Sequence, residues 1–540
     1  MTLPFTHRSP VYSTHGMVAS SQPLASAAGA RILEAGGTAA DAAVSVASML
    51  GLTEPCSTGL GGDVFVLYYQ ASTRKVFALN GSGRSPAALT LERLTSEGFD
   101  KAIPPTHPYM VTVPGACAAW CDLVERFGKF SLDALFADAI DLAERGFPVA
   151  PITSHFWRRG VEDLRGKALN IEELSINGKG PQPGEIFRNP GMARTLRVIA
   201  GGGKQAFYRG VVAEGIVAAL KEAGGCMTLE DLATHKSAWV EPISTTYHGV
   251  RVWECPPNGQ GITALLALNL LEGFDLASLD PLSAEHLHLE IEALRLAFAD
   301  ARRYVADPDL APAPVNGLLD KSYAAERRKK IRPGIAAGKV EFGVPLGSSD
   351  TVYFCTVDDR GNACSMINSN YMGFGTGIVP LGWGFSLQNR GANFSLDPRH
   401  ANALGPAKRP YHTIIPGMLT RESDQSLYAP FGVMGGFMQP QGHVQVVTAM
   451  IDHAMNPQAA LELPRFCIEP QDDRQVTSME EGIPHLSYAR LLTMGHALMR
   501  DESPYRALFG RGQIIRRNPE TGVLEAGSDP RADGAAIPIL

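Results

Sequence analysis

No stretch of this chain is long and apolar enough to read as a membrane span, and Met1–Arg8 has no hydrophobic core of a secretory leader. A cytoplasmic protein with reduced thiols is therefore expected. Positive charge is not in excess. Against 55 Asp and Glu stand 48 Lys and Arg, and a net charge of −7 gives no basic footprint for nucleic acid. The eight cysteines are scattered; Cys117 and Cys121, four apart on an expected helix, have no matching Cys or His pair nearby to make a metal site. The fourteen histidines contain no His-Glu-x-x-His, and His286 and His288, two apart on a helix, cannot share a face and read as structural. A Gly-x-Ser-x-Gly elbow in strand–turn–helix context is missing too. The glycines of Gly59–Asp63 lack the Lys-Ser/Thr of a phosphate loop and feed a strand rather than a helix. There is no internal repeat, no low-complexity tract and no regular βαβ alternation.

What is present is a chain of 540 residues, 45% hydrophobic and 19% charged, far too long for one small core. Its 56 glycines and 38 prolines suit many turns and close backbone approaches. Helices are expected over Pro23–Glu34, closed by Gly36-Gly37, and over Thr38–Leu50, whose Ala and Val on more than one side imply burial between layers. Strands follow at Val64–Tyr69 and Lys75–Asn80. Helices follow again near Pro114–Phe127, Ser131–Arg145, Ile262–Leu271 and Ser283–Tyr304. Arg332–Asp350 reads as an exposed linker. Beyond it the texture changes to short strands and glycine-rich turns, with one helix at Gln441–His453. The pattern fits a layered α/β architecture.

The linker ends at Asp350. Thr351 then opens an apolar, β-branched strand that turns at Asp358–Asn362 into a second strand, Ala363–Ser369. A threonine there is either an ordinary strand residue or the new first residue after the chain cuts its own Asp350–Thr351 bond. In the second case one residue carries both a hydroxyl nucleophile and a free α-amine.

Ordered matches run along nearly the whole chain: Pro23–Asp41, Glu54–Asp63, Val113-Pro114-Gly115, Pro256–Gly261 and Ala297–Pro308. After Thr351 come Val357–Asn362, Phe374–Ile378, Lys408-Arg409-Pro410, Met434–Gln441 and Gly527–Arg531. In these the sequence resembles the γ-glutamyltranspeptidase family of N-terminal-nucleophile hydrolases, most closely its signal-less bacterial branch. The resemblance implies an α/β fold, a four-layer αββα sandwich with additional helices. It also implies self-cleavage into a large subunit, 1–350, and a small one, 351–540, which stay intertwined as a heterodimer and could pair further. Thr351 becomes nucleophile and base, since an α-amine titrating near pH 7.7–8 is partly unprotonated at neutrality. Ser369 supports the nucleophile, and Gly435 and Gly436 form the oxyanion hole. The partners implied are a small amide substrate and water or an amine acceptor; no cofactor, metal, nucleic acid or membrane is implied.

The substrate clamp departs from the family pattern. Ser82 stands where the family has the arginine for the glutamyl α-carboxylate; Arg84 either supplies that charge from another angle or is a solvated loop arginine. Asn393 replaces the acidic residue for the α-amine, Tyr371 its asparagine partner, and His412-Thr413 the paired serines. Losing the Asp charge forfeits about 1.5–3 kcal/mol toward an ammonium, while Arg84 and Arg390 offer charge to a carboxylate. Cleavage of γ-glutamyl amides such as glutathione is the family expectation. The alternatives are small carboxylate-bearing amides of glutaryl or oxamate type, or a non-catalytic binding relative.

Overall fold

The computed structural model describes residues 8–99, 102–338, 350–468, 476–501 and 503–540. Fourteen of its strands build two seven-stranded sheets. In chain order they begin β1 (Val11–Ser13), β2 (Met17–Ser20), β3 (Asp63–Gln70), β4 (Lys75–Gly81), β5 (Ala238–Val240), β6 (Ile243–Tyr247) and β7 (Val250–Glu254). They continue with β8 (Asp350–Val357), β9 (Ala363–Tyr371), β10 (Gly417–Arg421), β11 (Leu427–Met434), β12 (Arg511–Arg517), β13 (Leu524–Ser528) and β14 (Ala535–Pro538). One sheet has the order β14-β2-β8-β9-β3-β4-β5 and the other β1-β13-β12-β11-β10-β7-β6. Every pairing within them is antiparallel.

The sheets face each other. β8 packs on β11 and β12, and Gly432 of β11 lies under the Tyr353 ring, where a Cβ would come within 2.5 Å of ring carbons. Helices α1 (Pro23–Glu34), α2 (Ala39–Thr53) and α3 (Ala116–Phe127) cover the first sheet, with α4 (Leu132–Arg145) against α2. On the second lie α5 (Gly261–Leu271) and α7 (Met438–Ile451), with α6 (Ala284–Tyr304) outside them. The expected αββα sandwich is thus what the chain forms.

Local chemistry explains the layers. Thr38 caps α2 by accepting the Asp41 N–H, and Asp41 returns the bond to the Thr38 N–H. Every α2 residue is buried, as its all-round Ala and Val content implies. Gly29 allows α1 to close on α2, since a Cβ there would sit 2.5 Å from Val46. β8 reads as a continuous apolar run rather than an alternating one because it is covered on both faces: Val352 through Cys355 are all fully buried. The expected helix at Gln441–His453 starts earlier, at Met438, because Pro440 falls in its first turn, where a missing N–H costs nothing.

Topology interleaves the two halves of the chain. β8 and β9, from after Asp350, sit between β2 and β3, from before it. Neither half can keep its sheets without the other. The linker expected at Arg332–Asp350 lies for the most part, 339–349, outside the described residues.

Candidate active site

Thr351 is the second residue of β8 and fully buried. The β8–β9 register slips at this point: Asp350 pairs with Tyr371 but Val352 with Asn368. Such a bulge re-aims a side chain out of the regular ladder. Thr351 Oγ1 lies 3.1 Å from Ser369 Oγ. Two N–H groups already point at that serine oxygen, the Tyr371 backbone N–H at 2.8 Å and an Arg390 guanidinium N–H at 3.2 Å. A hydroxyl oxygen has two lone pairs. Ser369 thus holds the Thr351 hydroxyl in a buried hydrogen-bonded setting next to a cation.

Arg390 sits in a short helical turn, Arg390–Asn393, and is fully buried. Besides Ser369 it donates to Thr413 Oγ1 at 2.7 Å, and its carbon centre lies 4.3 Å over the Tyr371 ring. Its Nε has no partner, and it forms no ion pair with a carboxylate of the described residues. Burial lowers its pKa to about 10, with Asp63 and Tyr371 pulling the other way. A buried guanidinium held by hydroxyls alone is a ready anion site.

The arginine chain continues to the glycine pair. Gln260 donates through Nε2 to both Thr413 O, at 2.7 Å, and Gly436 O, at 2.9 Å. Gly435 and Gly436 occupy the β11–α7 junction with φ of 131° and 61°, the region that favours glycine. They thus stand at the N-terminal, partially positive end of α7. A hydrogen-bonded path therefore runs Thr351–Ser369–Arg390–Thr413–Gln260–Gly436, joining five residues singled out in the sequence.

The other substrate-clamp candidates fall into two groups. Tyr371, in a strained left-handed conformation at φ 79°, donates its hydroxyl to Asn393 Oδ1 at 2.6 Å; Asn393 Nδ2 is buried without a partner. These two stay with the Thr351 network. Arg84 does not: it donates to Asp307 at 2.7 Å, Asp309 at 2.6 Å and Ala407 O at 2.9 Å, so its charge is already matched. Ser82 is buried against Asn80 Oδ1 at 2.7 Å.

His412 is likewise engaged. Its Nε2 lies 3.0 Å from Asp63 Oδ2, and the Ile414 N–H points at its Nδ1, which together define the Nε2–H tautomer. Burial, and next the Arg390 charge, lower its pKa to about 4, so it is neutral. Asp63 is the residue sequence reasoning missed. It also accepts from the Gly83 and Gly115 N–H groups and from Gln388 Nε2, drawing four strands of chain together. A buried aspartate after Gly61-Gly62 at the mouth of a strand was the available signal. Gln260 was missed in the same way, inside the Pro256–Gly261 loop.

The Gamma-glutamyltranspeptidase family model matches residues 25–539. The chain is 37% identical to the glutathione hydrolase-like YwrD proenzyme of Bacillus subtilis, over 98% of this chain and 99% of that one. It is 33% identical to the oxamate amidohydrolase proenzyme of Klebsiella pneumoniae, over 97% and 98% respectively. The crystal structure of cephalosporin acylase from Bacillus halodurans superposes with a TM-score of 0.93 at 44% identity, covering 100% of this chain and 99% of that one. No helix among the described residues is long and apolar enough to cross a membrane. The chain is an enzyme of the hydrolase/transferase kind, and it belongs to the γ-glutamyltranspeptidase family.

Proposed function

We propose that the chain is a self-processing threonine amidohydrolase whose preferred substrates are small amides carrying a carboxylate on the acyl side. In processing, Thr351 Oγ attacks the Asp350 carbonyl; the C–N bond breaks, an ester forms, and water hydrolyses it. This leaves subunits 1–350 and 351–540 and frees the Thr351 α-amine. In turnover that amine takes the proton of Thr351 Oγ, and the oxygen bonds to the substrate carbonyl carbon. Backbone N–H groups at Gly435 and Gly436 stabilise the oxyanion. The amide C–N bond breaks, the amine leaves with the proton, and water or another amine takes the acyl group from Thr351.

The observation that carries the substrate class is Arg390, a buried cation with donors to spare, one hydroxyl away from the nucleophile. Its proximity favours a short acyl chain. The neutral Asn393, already bonded to Tyr371, offers no charge for an α-ammonium. Amides of γ-glutamyl type, glutathione included, are the second reading, supported by the glutathione hydrolase-like relative.

Two measurements test this. Denaturing electrophoresis of purified protein should show both fragments, and only the full chain for Thr351→Ala; cleavage of that variant would overturn the assignment. Turnover of oxamate, glutaryl and γ-glutamyl amides at equal concentration separates the substrate readings, because a γ-glutamyl amide hydrolysed fastest refutes the carboxylate-only pocket.

A further inference from the structure

α6 carries a second chemical cluster, unrelated to amide hydrolysis. His288 and Glu292, one turn apart on the same face, meet His496, which follows the helix His485–Thr493. All three side chains are buried, and one donor atom from each lies within 4.8 Å of the others. We propose that they form a binding site for a divalent transition metal of zinc type, with His288 Nδ1, His496 Nε2 and a Glu292 oxygen as ligands.

The hydrogen bonds around the cluster set up that role. His288 Nε2 lies 3.0 Å from Arg332 O, and a carbonyl only accepts, so Nε2 bears the proton and Nδ1 presents a lone pair. An imidazole oriented through its other nitrogen by a backbone carbonyl is the usual setting of a metal-bound histidine. Glu292 is oriented likewise: Oε1 accepts from Arg295 at 2.8 Å and Oε2 from the Ala337 N–H at 2.9 Å, each oxygen keeping a second lone pair. His288 Nδ1 and His496 Nε2 face each other at 2.8 Å, which in the metal-free protein is a hydrogen bond. Bonds of about 2.0–2.1 Å in a tetrahedral site need ligand atoms about 3.3 Å apart, so loading opens the pair by about half an ångström. Two His and one carboxylate, with water in the fourth position, is a zinc donor set.

The ligands straddle the Asp350–Thr351 bond: His288 and Glu292 precede it, His496 follows it. The same groups hold residues 332 and 337, on the approach to that bond. If the self-processing reading holds, the ion clips the end of the large fragment to the small one. Metal binding itself does not depend on that reading, and electrophoresis reports processing separately.

The test is titration of chelator-treated full-length protein with Zn²⁺ against a chromogenic competitor, and with Co²⁺ followed by visible absorption. One equivalent of Zn²⁺ per chain, with the intense Co²⁺ bands of tetrahedral coordination, is expected. Removing a ligand by His288→Gln or His496→Gln should weaken binding more than about 100-fold, the upper range for loss of a mere ligand-supporting contact. His453→Gln, in the neighbouring His286–His453 pair with nitrogens 3.2 Å apart, should leave it unchanged. Clearly substoichiometric binding by wild-type protein overturns the proposal, as does an equivalent that survives in the His288/His496 double variant. Should those variants not fold, the wild-type stoichiometry and Co²⁺ spectrum decide alone.

Discussion

Replacing Arg390 by Gln separates the two things this side chain does. It removes the charge proposed to hold a substrate carboxylate while keeping donors near Ser369 and Thr413. Truncating one partner of a buried charge pair costs about 2–5 kcal/mol. A central value of about 3 kcal/mol corresponds to roughly 150-fold in kcat/KM. Because Arg390 also donates to the Ser369 hydroxyl at 3.2 Å, part of any loss reflects nucleophile positioning rather than substrate charge. A matched pair of anilides, glutaryl and its uncharged pentanoyl counterpart, removes that ambiguity, since positioning affects both alike. The acid-to-neutral ratio of kcat/KM should fall by about 100-fold in Arg390→Gln. Stability should change little. A guanidinium whose pKa burial lowers from 12.5 to about 10 opposes folding by about 3 kcal/mol at neutral pH. Losing one or two charge-assisted hydrogen bonds of about 1.5–3 kcal/mol each offsets most of this. Denaturant unfolding should therefore show a variant about as stable as wild type. An unchanged acid-to-neutral ratio would refute the carboxylate role outright, and a marked drop in stability would show that the hydrogen bonds and the Asp63 charge more than offset the cost of burying the arginine.

Asn393→Asp restores a negative charge beside Tyr371 and should raise the γ-glutamyl-to-glutaryl ratio of kcat/KM by roughly 10- to 100-fold, from about 1.5–3 kcal/mol per charge-assisted bond; no change in the ratio counts against Asn393 facing the substrate amine. Gly436→Ala must hold φ near 61° with a Cβ present, at about 1–2 kcal/mol of strain, and tilts the proposed oxyanion donor; kcat should fall roughly 100-fold or more while the acyl preference stays the same. His412 contributes an acid-labile term. Its unfolded pKa is about 6.5 and its folded value about 4, so the unfolded chain takes up the proton first; stability is full above pH 6.5 and falls by about 3 kcal/mol as pH drops to 4. His412→Gln, which keeps a donor for Asp63, should shrink the difference between unfolding free energies at pH 7 and pH 4 by that amount, and an undiminished difference would assign the acid lability to other groups.

Local signals made the helical layers legible. Pro23 and Gly36-Gly37 bracket α1, and Thr38 with Asp41 caps α2, so both start where punctuation puts them, although α2 runs on past Leu50 to Thr53. The β8–β9 hairpin was equally readable, because Asp358 organises its own turn by accepting from the Arg360 and Asn362 N–H groups. β5 and β14 were not. They are sheet edges of three and four residues whose partners lie 150 or more residues away, and their pairing is a property of the assembled sheet.

The site divides along the same line. Thr351, Ser369, Arg390, Thr413 and Gly436 come together from separate stretches; family spacing named all of them but Arg390, which stood out as a cation close to Asn393. What spacing could not give is the state of each charge. Arg84 and Arg390 look alike in sequence, two arginines near glycines. Arg84 meets Asp307 and Asp309 from 223 and 225 residues away and is thereby spent. Arg390 is kept from the same fate by Asp63. That carboxylate is filled by Gly83, Gly115, Gln388 and His412, and the neutral His412 ring stands on the oxygen that would otherwise be open to a cation. Asp63 thus lowers the cost of burying Arg390 through space without pairing with it, and the guanidinium keeps donors for a ligand. On this argument Asp63→Asn should strengthen carboxylate binding without touching substrate: Arg390, titrating at about 10, keeps its charge, while a negative charge that opposes the substrate carboxylate is lost and an amide can still accept from the surrounding N–H groups. Its signature is a KM that falls for glutaryl substrates and stays level for the uncharged pentanoyl counterpart; an equal change for both would mean that Asp63 only shapes the backbone.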